Sequence, residues 1–182
     1  MNADVLCLQE TNTNIHPENI LFSAKYNYLS LFHLHGIVTY YNKNIVLVKS
    51  YNYTAKHIES IVTTFKFTTL SLKIANVYIA PTAALEDVFQ FVSNILNNAN
   101  IGEHILFAGD FNIDMSTNGK DHEKFMSFMN YNSLKLHMKI STCDTGSVLD
   151  HFWTNLPNQN IGCTSSEAYW TDHVTIHLSI PL

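Results

Sequence analysis

Residues 105–115 read ILFAGDFNIDM, an apolar run that stops at Gly109 and Asp110 and places Asn112 two positions further on. The apolar part reads as a buried strand with polar groups at its C-terminal end. On an extended chain, residues two apart point to the same side, so Asp110 and Asn112 are expected to face the same way. A carboxylate beside a carboxamide is also an ordinary turn signal. Whether this is a turn or a site depends on what other polar groups arrive there.

The 182 residues are 46% hydrophobic and 14% charged, which fits a single well-cored domain over 1–182. No apolar stretch approaches the roughly 20 residues of a membrane span, so no membrane association is expected. The N-terminus has no signal-peptide pattern. Net charge is −5 with ten Lys and Arg. That does not indicate a broad basic surface for nucleic acid, and a metal ion or local patch would have to attract any polyanionic partner. Cys7, Cys143 and Cys163 show no CxxC spacing, which points to a reduced intracellular compartment, cytoplasmic or nuclear.

Outward from the quoted stretch, ADVLCLQE (3–10) reads as a buried strand, and HGIVTYYNKNIVLVKS (35–50) as a hairpin around Asn42-Lys43-Asn44. HIESIVTTFKF and TLSLKIANVYIA add two strands. In TAALEDVFQFVSNILNNAN (82–100), Leu85, Val88, Phe89, Val92, Ile95 and Leu96 have helical spacing. Thr82 is the expected N-cap, with Glu86 and Asp87 near the positive end. KDHEKFMSFMNYNSLKL (120–136) is a second expected helix. SVLDHFWTN and HVTIHLSI close the chain as strands, the latter alternating through Val174, Ile176, Leu178 and Ile180. The pattern is one strand-rich α/β domain.

Polar residues gather at strand ends: Glu10 after the first, Tyr78 near the end of the fourth, and Asp172-His173 at the start of the last. Asp150 lies inside the apolar VLDHF. An unpaired buried carboxylate costs several kcal/mol, so Asp150 demands a partner, and His173 is the natural candidate. Such a pair fixes the imidazole tautomer and raises its pKa. His33 and His35 form an HxH pair with no third zinc-spaced ligand and read as loop residues. His151 should face away from Asp150.

LCLQET, NVYIAP, GDFNID, GSVLDHFWTN and TDH, in this order, resemble the endonuclease/exonuclease/phosphatase superfamily. The chain is most similar there to the apurinic-type endonuclease domains of non-LTR retrotransposons. The resemblance implies a four-layer α/β sandwich of two packed, mostly antiparallel sheets with outer helices. It implies Glu10 and Asp172 at a catalytic Mg²⁺ or Mn²⁺, Asp110 activating water, and Asn112 orienting it. Tyr78 would contact the scissile phosphate, and Asp150 would pair with His173. Thr142 matches a phosphate-contacting threonine, and Trp170 sits close enough to Asp172 to line the site. A hard dication would neutralise phosphate oxygens, and an imidazolium would add a second positive charge.

The activity implied is DNA nicking, in a domain that can belong to a larger reverse-transcriptase polyprotein. Two alternatives stand beside it: a weak or inactive remnant serving as a binding module, and a phosphatase of small phosphoesters. Against the family pattern, Met1 falls directly before the second strand, so the first strand and helix are expected to be missing. Ile79 and Ala80 stand where the retrotransposon branch frequently has an arginine after the tyrosine. Both departures point to reduced activity.

Overall fold

The structure is a computed structural model that describes residues 3–12, 24–68, 70–137, 140–157, 161–168 and 171–181. A six-stranded mixed sheet has the order β4(Val46–Ala55), β5(Ile58–Lys66), β6(Ser71–Ile79), β7(His104–Asp110), β9(Asp150–Thr154), β8(Lys135–Leu136). Only β6 and β7 run parallel. Parallel neighbours need a crossover, and α1(Leu85–Asn97) lies within it.

Strand parity divides the residues of this sheet between two cores. Ile105 and Phe107 of β7 face a core with Val88, Phe91, Val92 and Ile95 of α1 and Phe125 and Met129 of α2(Lys120–Tyr131). Leu106 and Ala108 face the other way, where Val5, Cys7, Ile176 and Leu178 close a second core. Asp110 shares the parity of Leu106 and Ala108, so the quoted strand delivers its carboxylate between the sheets. The second layer comprises a three-stranded piece, β1(Val5–Leu8), β3(Ile37–Asn42), β2(Tyr26–Leu31), and a two-stranded piece, β10(Gly162–Ser166) with β11(Thr175–Ser179). The fold is thus the α/β sandwich expected, with the described helices on one outer face. None of them is long and apolar enough to cross a membrane.

Gly109 lets the layers approach at the site. Its φ is +143°, and a Cβ there would meet the Val77 carbonyl oxygen at 2.0 Å and Gln9 Nε2 at 3.0 Å. Only glycine fits that spacing. Beside it, buried Asn76 rivets the layers together: it accepts from Gln9 Nε2 (2.7 Å) and donates to Val38 O (3.0 Å) and Thr39 Oγ1 (3.1 Å).

Three local expectations differ. Residues 37–42 and 46–55 are strands, but they do not pair as a hairpin: β3 joins β1 and β2, while β4 joins β5. The turn folds through Asn42, whose side-chain and main-chain oxygens accept Asn44 and Ile45 N–H, and it passes the chain from one sheet to the other. Helix α1 begins after Ala84 rather than Thr82, whose hydroxyl meets His57 Nδ1 at 3.2 Å. Helix α2 stops at Tyr131, and Lys135–Leu136 pair with β9 instead.

Candidate active site

Strand register assembles the centre. Tyr78 lies opposite Asp110 across β6 and β7, and Asp110 lies opposite Asp150 across β7 and β9. After β7 the chain turns back at Asn112 (φ +50°), a left-handed conformation that Asn tolerates. Asn112 N–H then donates to Asp110 Oδ1 at 2.9 Å, and Nδ2 donates to Asp110 Oδ2 at 3.0 Å and Ile79 O at 2.8 Å. Asp114 stitches this loop to the segment leading into β9 by accepting Val148 N–H at 3.0 Å. The carboxylate and carboxamide do face each other, with Asp110 closing β7 and Asn112 in the loop that follows it.

Asp150 finds the predicted partner: His173 Nδ1 donates to its Oδ2 at 2.7 Å. That bond raises His173 to about 9 against the opposing effect of burial, so the ring is an imidazolium at neutral pH. Asp110 is pushed up to about 7, first by burial and then by the charge of Asp150, with Asn112 N–H and His173 pulling the other way. Two neighbouring carboxyls thus sit in opposite settings, one paired with a cation and the other raised toward neutrality.

Glu10 lies beyond β1, half exposed, with φ +48°. Tyr78 is buried, with the Glu10 carboxylate beside its hydroxyl. Burial, then that carboxylate, holds the phenol above its ordinary pKa. Asp172 is exposed, and its charge helps to raise His173. Thr142 is fully buried behind Asp150, where its hydroxyl oxygen accepts Leu149 and Asp150 N–H at 2.9 and 3.1 Å. That placement fixes the start of β9 and turns the oxygen away from solvent. Trp170 lies outside the described residues.

The donor set fits a hard dication. The negative charges of Asp150 and Glu10 act together at Asp110 with His173 opposing them, and the exposed carboxylates of Glu10 and Asp172 are oxygen donors of the kind Mg²⁺ and Mn²⁺ take. Cys143, Asp150 and His173 bring one ligand atom each within 4.8 Å of one another. Here the short Asp150–His173 bond occupies Nδ1, and burial pushes the Cys143 thiol up to about 11, which makes them a hydrogen-bonded cluster.

Two further residues lie near the site: His35, read from the sequence as a loop residue, and Glu59, not singled out from the sequence. His35 packs tilted against Tyr78, with ring centres 5.1 Å apart, and brings Nδ1 to 3.9 Å from Glu10 Oε1. Glu59 is fully buried beneath the loop that carries His35. The available signal was Glu59 within HIESIVTTF, a carboxylate in an apolar strand like Asp150.

A family model for the endonuclease/exonuclease/phosphatase family matches residues 1–173, and the chain belongs to that family. Among solved structures it resembles the endonuclease domain of TRAS1, a telomere-specific non-LTR retrotransposon, at 12% identity and TM-score 0.72, covering 97% of this chain and 84% of that one. A family protein from Leptotrichia buccalis matches at 15% identity and TM-score 0.74, covering 98% and 88%. An AP endonuclease from Leishmania major matches at 13% and 0.67, covering 96% and 77%. No curated protein sequence matches. At these identities the structural likeness is one of fold.

Proposed function

We propose that this chain is a divalent-metal-dependent phosphodiester hydrolase that nicks DNA, of mobile-element origin and acting as one domain over residues 1–182. The observation that carries the reading is the meeting of two pairs at neighbouring strand ends, Asp110 with Asn112 and Asp150 with His173. Asp110, titrating at about 7, takes a proton from the attacking water, and Asn112 holds its carboxylate in place. His173, cationic up to about 9, faces the charge developing on the phosphate, while Asp150 and buried Thr142 keep its ring in position. Glu10 and Asp172 would hold the metal, with the Tyr78 hydroxyl orienting Glu10. A bound Mg²⁺ or Mn²⁺ supplies charge neutralisation at the phosphate and the leaving oxygen. DNA and the mobile element are supported by the retrotransposon and AP endonuclease relatives.

The test is nicking of supercoiled plasmid by the full chain with Mg²⁺ or Mn²⁺, abolished by EDTA. Asp110→Asn should lower the rate by roughly 10²–10⁴-fold, the usual weight of a general base. Equal rates for the two proteins would refute the reading. Hydrolysis of bis(p-nitrophenyl) phosphate without nicking would move the substrate to small phosphoesters.

A further inference from the structure

Glu59 lies in β5 with no exposed surface, and its carboxylate is filled by three successive amides of one loop. His33 N–H donates to Oε2 at 3.2 Å, Leu34 N–H to Oε2 at 2.9 Å, and His35 N–H to Oε1 at 3.2 Å. The loop is tied on its other side to the residues that follow Glu10. Thr11 N–H donates to Gly36 O at 3.0 Å and Asn12 N–H to His35 O at 2.9 Å. Gly36 has φ +83°, and a Cβ there would come to 2.7 Å from Thr11 Oγ1. A buried anion cross-linking three amides is a rigid support, and here it carries two imidazoles with different fates. His33 Nε2 meets Ala55 O at 3.2 Å, which occupies it structurally. His35 lies across Tyr78 with Nδ1 turned to Glu10 Oε1, 3.9 Å away.

An exposed His–Glu pair at that distance contributes little to stability, yet the loop beneath it is firmly built. Two ligands of one ion, each about 2.1 Å from it, lie roughly 3 to 4.2 Å apart, a range that contains the observed 3.9 Å. Both side chains are about half exposed (48% and 46%) and can turn to close on an ion. We propose that His35, positioned by Glu59, is a nitrogen ligand of the ion that Glu10 holds, so that the centre selects a transition ion such as Mn²⁺ over Mg²⁺. This rests on the metal-dependent reading above. Imidazole is a good donor to first-row transition ions, whereas Mg²⁺ keeps to oxygen and water.

The experiment titrates the full chain with Mn²⁺ and with Mg²⁺ by calorimetry and records pulsed EPR of bound Mn²⁺. Wild type should bind Mn²⁺ at least about tenfold more tightly and show ¹⁴N coupling from a ligating imidazole. His35→Phe keeps a ring on Tyr78 and removes the donor. It should lose the ¹⁴N coupling and the Mn²⁺ preference while Mg²⁺ affinity stays within about twofold. Glu59→Gln should erode the preference in part, with calorimetric melting to verify the fold. Retention of the coupling and the preference in His35→Phe overturns this inference and leaves Glu10 as ligand. Unchanged binding of both ions in Glu10→Gln, or no binding by wild type, overturns the metal-dependent reading and this inference with it.

Discussion

Asp150→Asn keeps the shape of the buried side chain and removes the charge that makes His173 a cation. The ring is raised from 6.5 to about 9, chiefly by its hydrogen bond to Asp150. At about 1.4 kcal/mol per unit, that shift corresponds to about 3 kcal/mol. With the ring one-quarter exposed (25%), water screens part of it and about 2 kcal/mol remains. In the variant His173 should titrate about 2 units lower or more, because burial alone pushes an imidazole down. Asp110 should fall by less, since losing the charge of Asp150, the second cause of its elevation, outweighs losing the smaller pull of the His173 cation. One substitution therefore moves two titrations of opposite groups in the same direction. A folded pKa raised above the unfolded value stabilises fully below 6.5, and that contribution is lost as pH rises through about 9. Wild type should thus lose stability relative to the variant across that window. NMR titration of the His173 ring and the Asp110 carboxyl reads both shifts. His173 still titrating near 9 in Asp150→Asn would refute the reasoning, because no ion pair would then hold the proton.

Other expectations follow from the same geometry. The rate of phosphodiester hydrolysis should rise with pH along a limb at or below about 7, set by Asp110 and lowered by bound metal, and fall near about 9 with His173; a profile flat from pH 5 to 10, roughly the span of these limbs, would remove both assignments. His151 is fully buried, stacked on Phe111, and pushed down to about 4 by burial. Its depressed pKa should cost about 3 kcal/mol as pH falls from 6.5 to 4, and urea unfolding of wild type and His151→Phe at both ends of that window checks it. Gly109→Ala forces a Cβ onto the Val77 carbonyl at positive φ and should destabilise by at least about 2 kcal/mol, read from the urea midpoint. Asn76→Ala leaves Gln9 and Thr39 without their shared partner and should cost roughly 1–3 kcal/mol.

What could be read in advance depended on how far apart the determining contacts lie. Asp150 was legible because a carboxylate in an apolar run must have a partner, and few groups in the chain could serve. Helix α1 and strand β11 were legible because the period of their apolar face shows in their own residues, and β5, β6 and β7 because strands buried on both faces read as apolar runs. The hairpin reading of 35–50 failed for the converse reason. Asn42-Lys43-Asn44 specifies a reversal, but β3 is buried almost throughout while much of β4 is exposed, and sheet membership follows that burial rather than the turn. β10 reads GCTSS and carries little apolar signal; it is held by pairing with β11.

The rule that located Asp150 applies equally to Glu59, and the difference between them lies in the partner. Asp150 is matched by a side chain, which a sequence displays. Glu59 is matched by three backbone amides 24 to 26 residues away, and every residue except proline carries an amide, so nothing in the letters marks them. A buried carboxylate with no visible counter-charge is thus a pointer to a loop that must be held still. In this chain that loop ends at His35, beside Glu10 and Tyr78. Its rigidity becomes intelligible if His35 has to be in place before a ligand arrives, because a donor fixed beforehand avoids the ordering entropy of one that must be gathered.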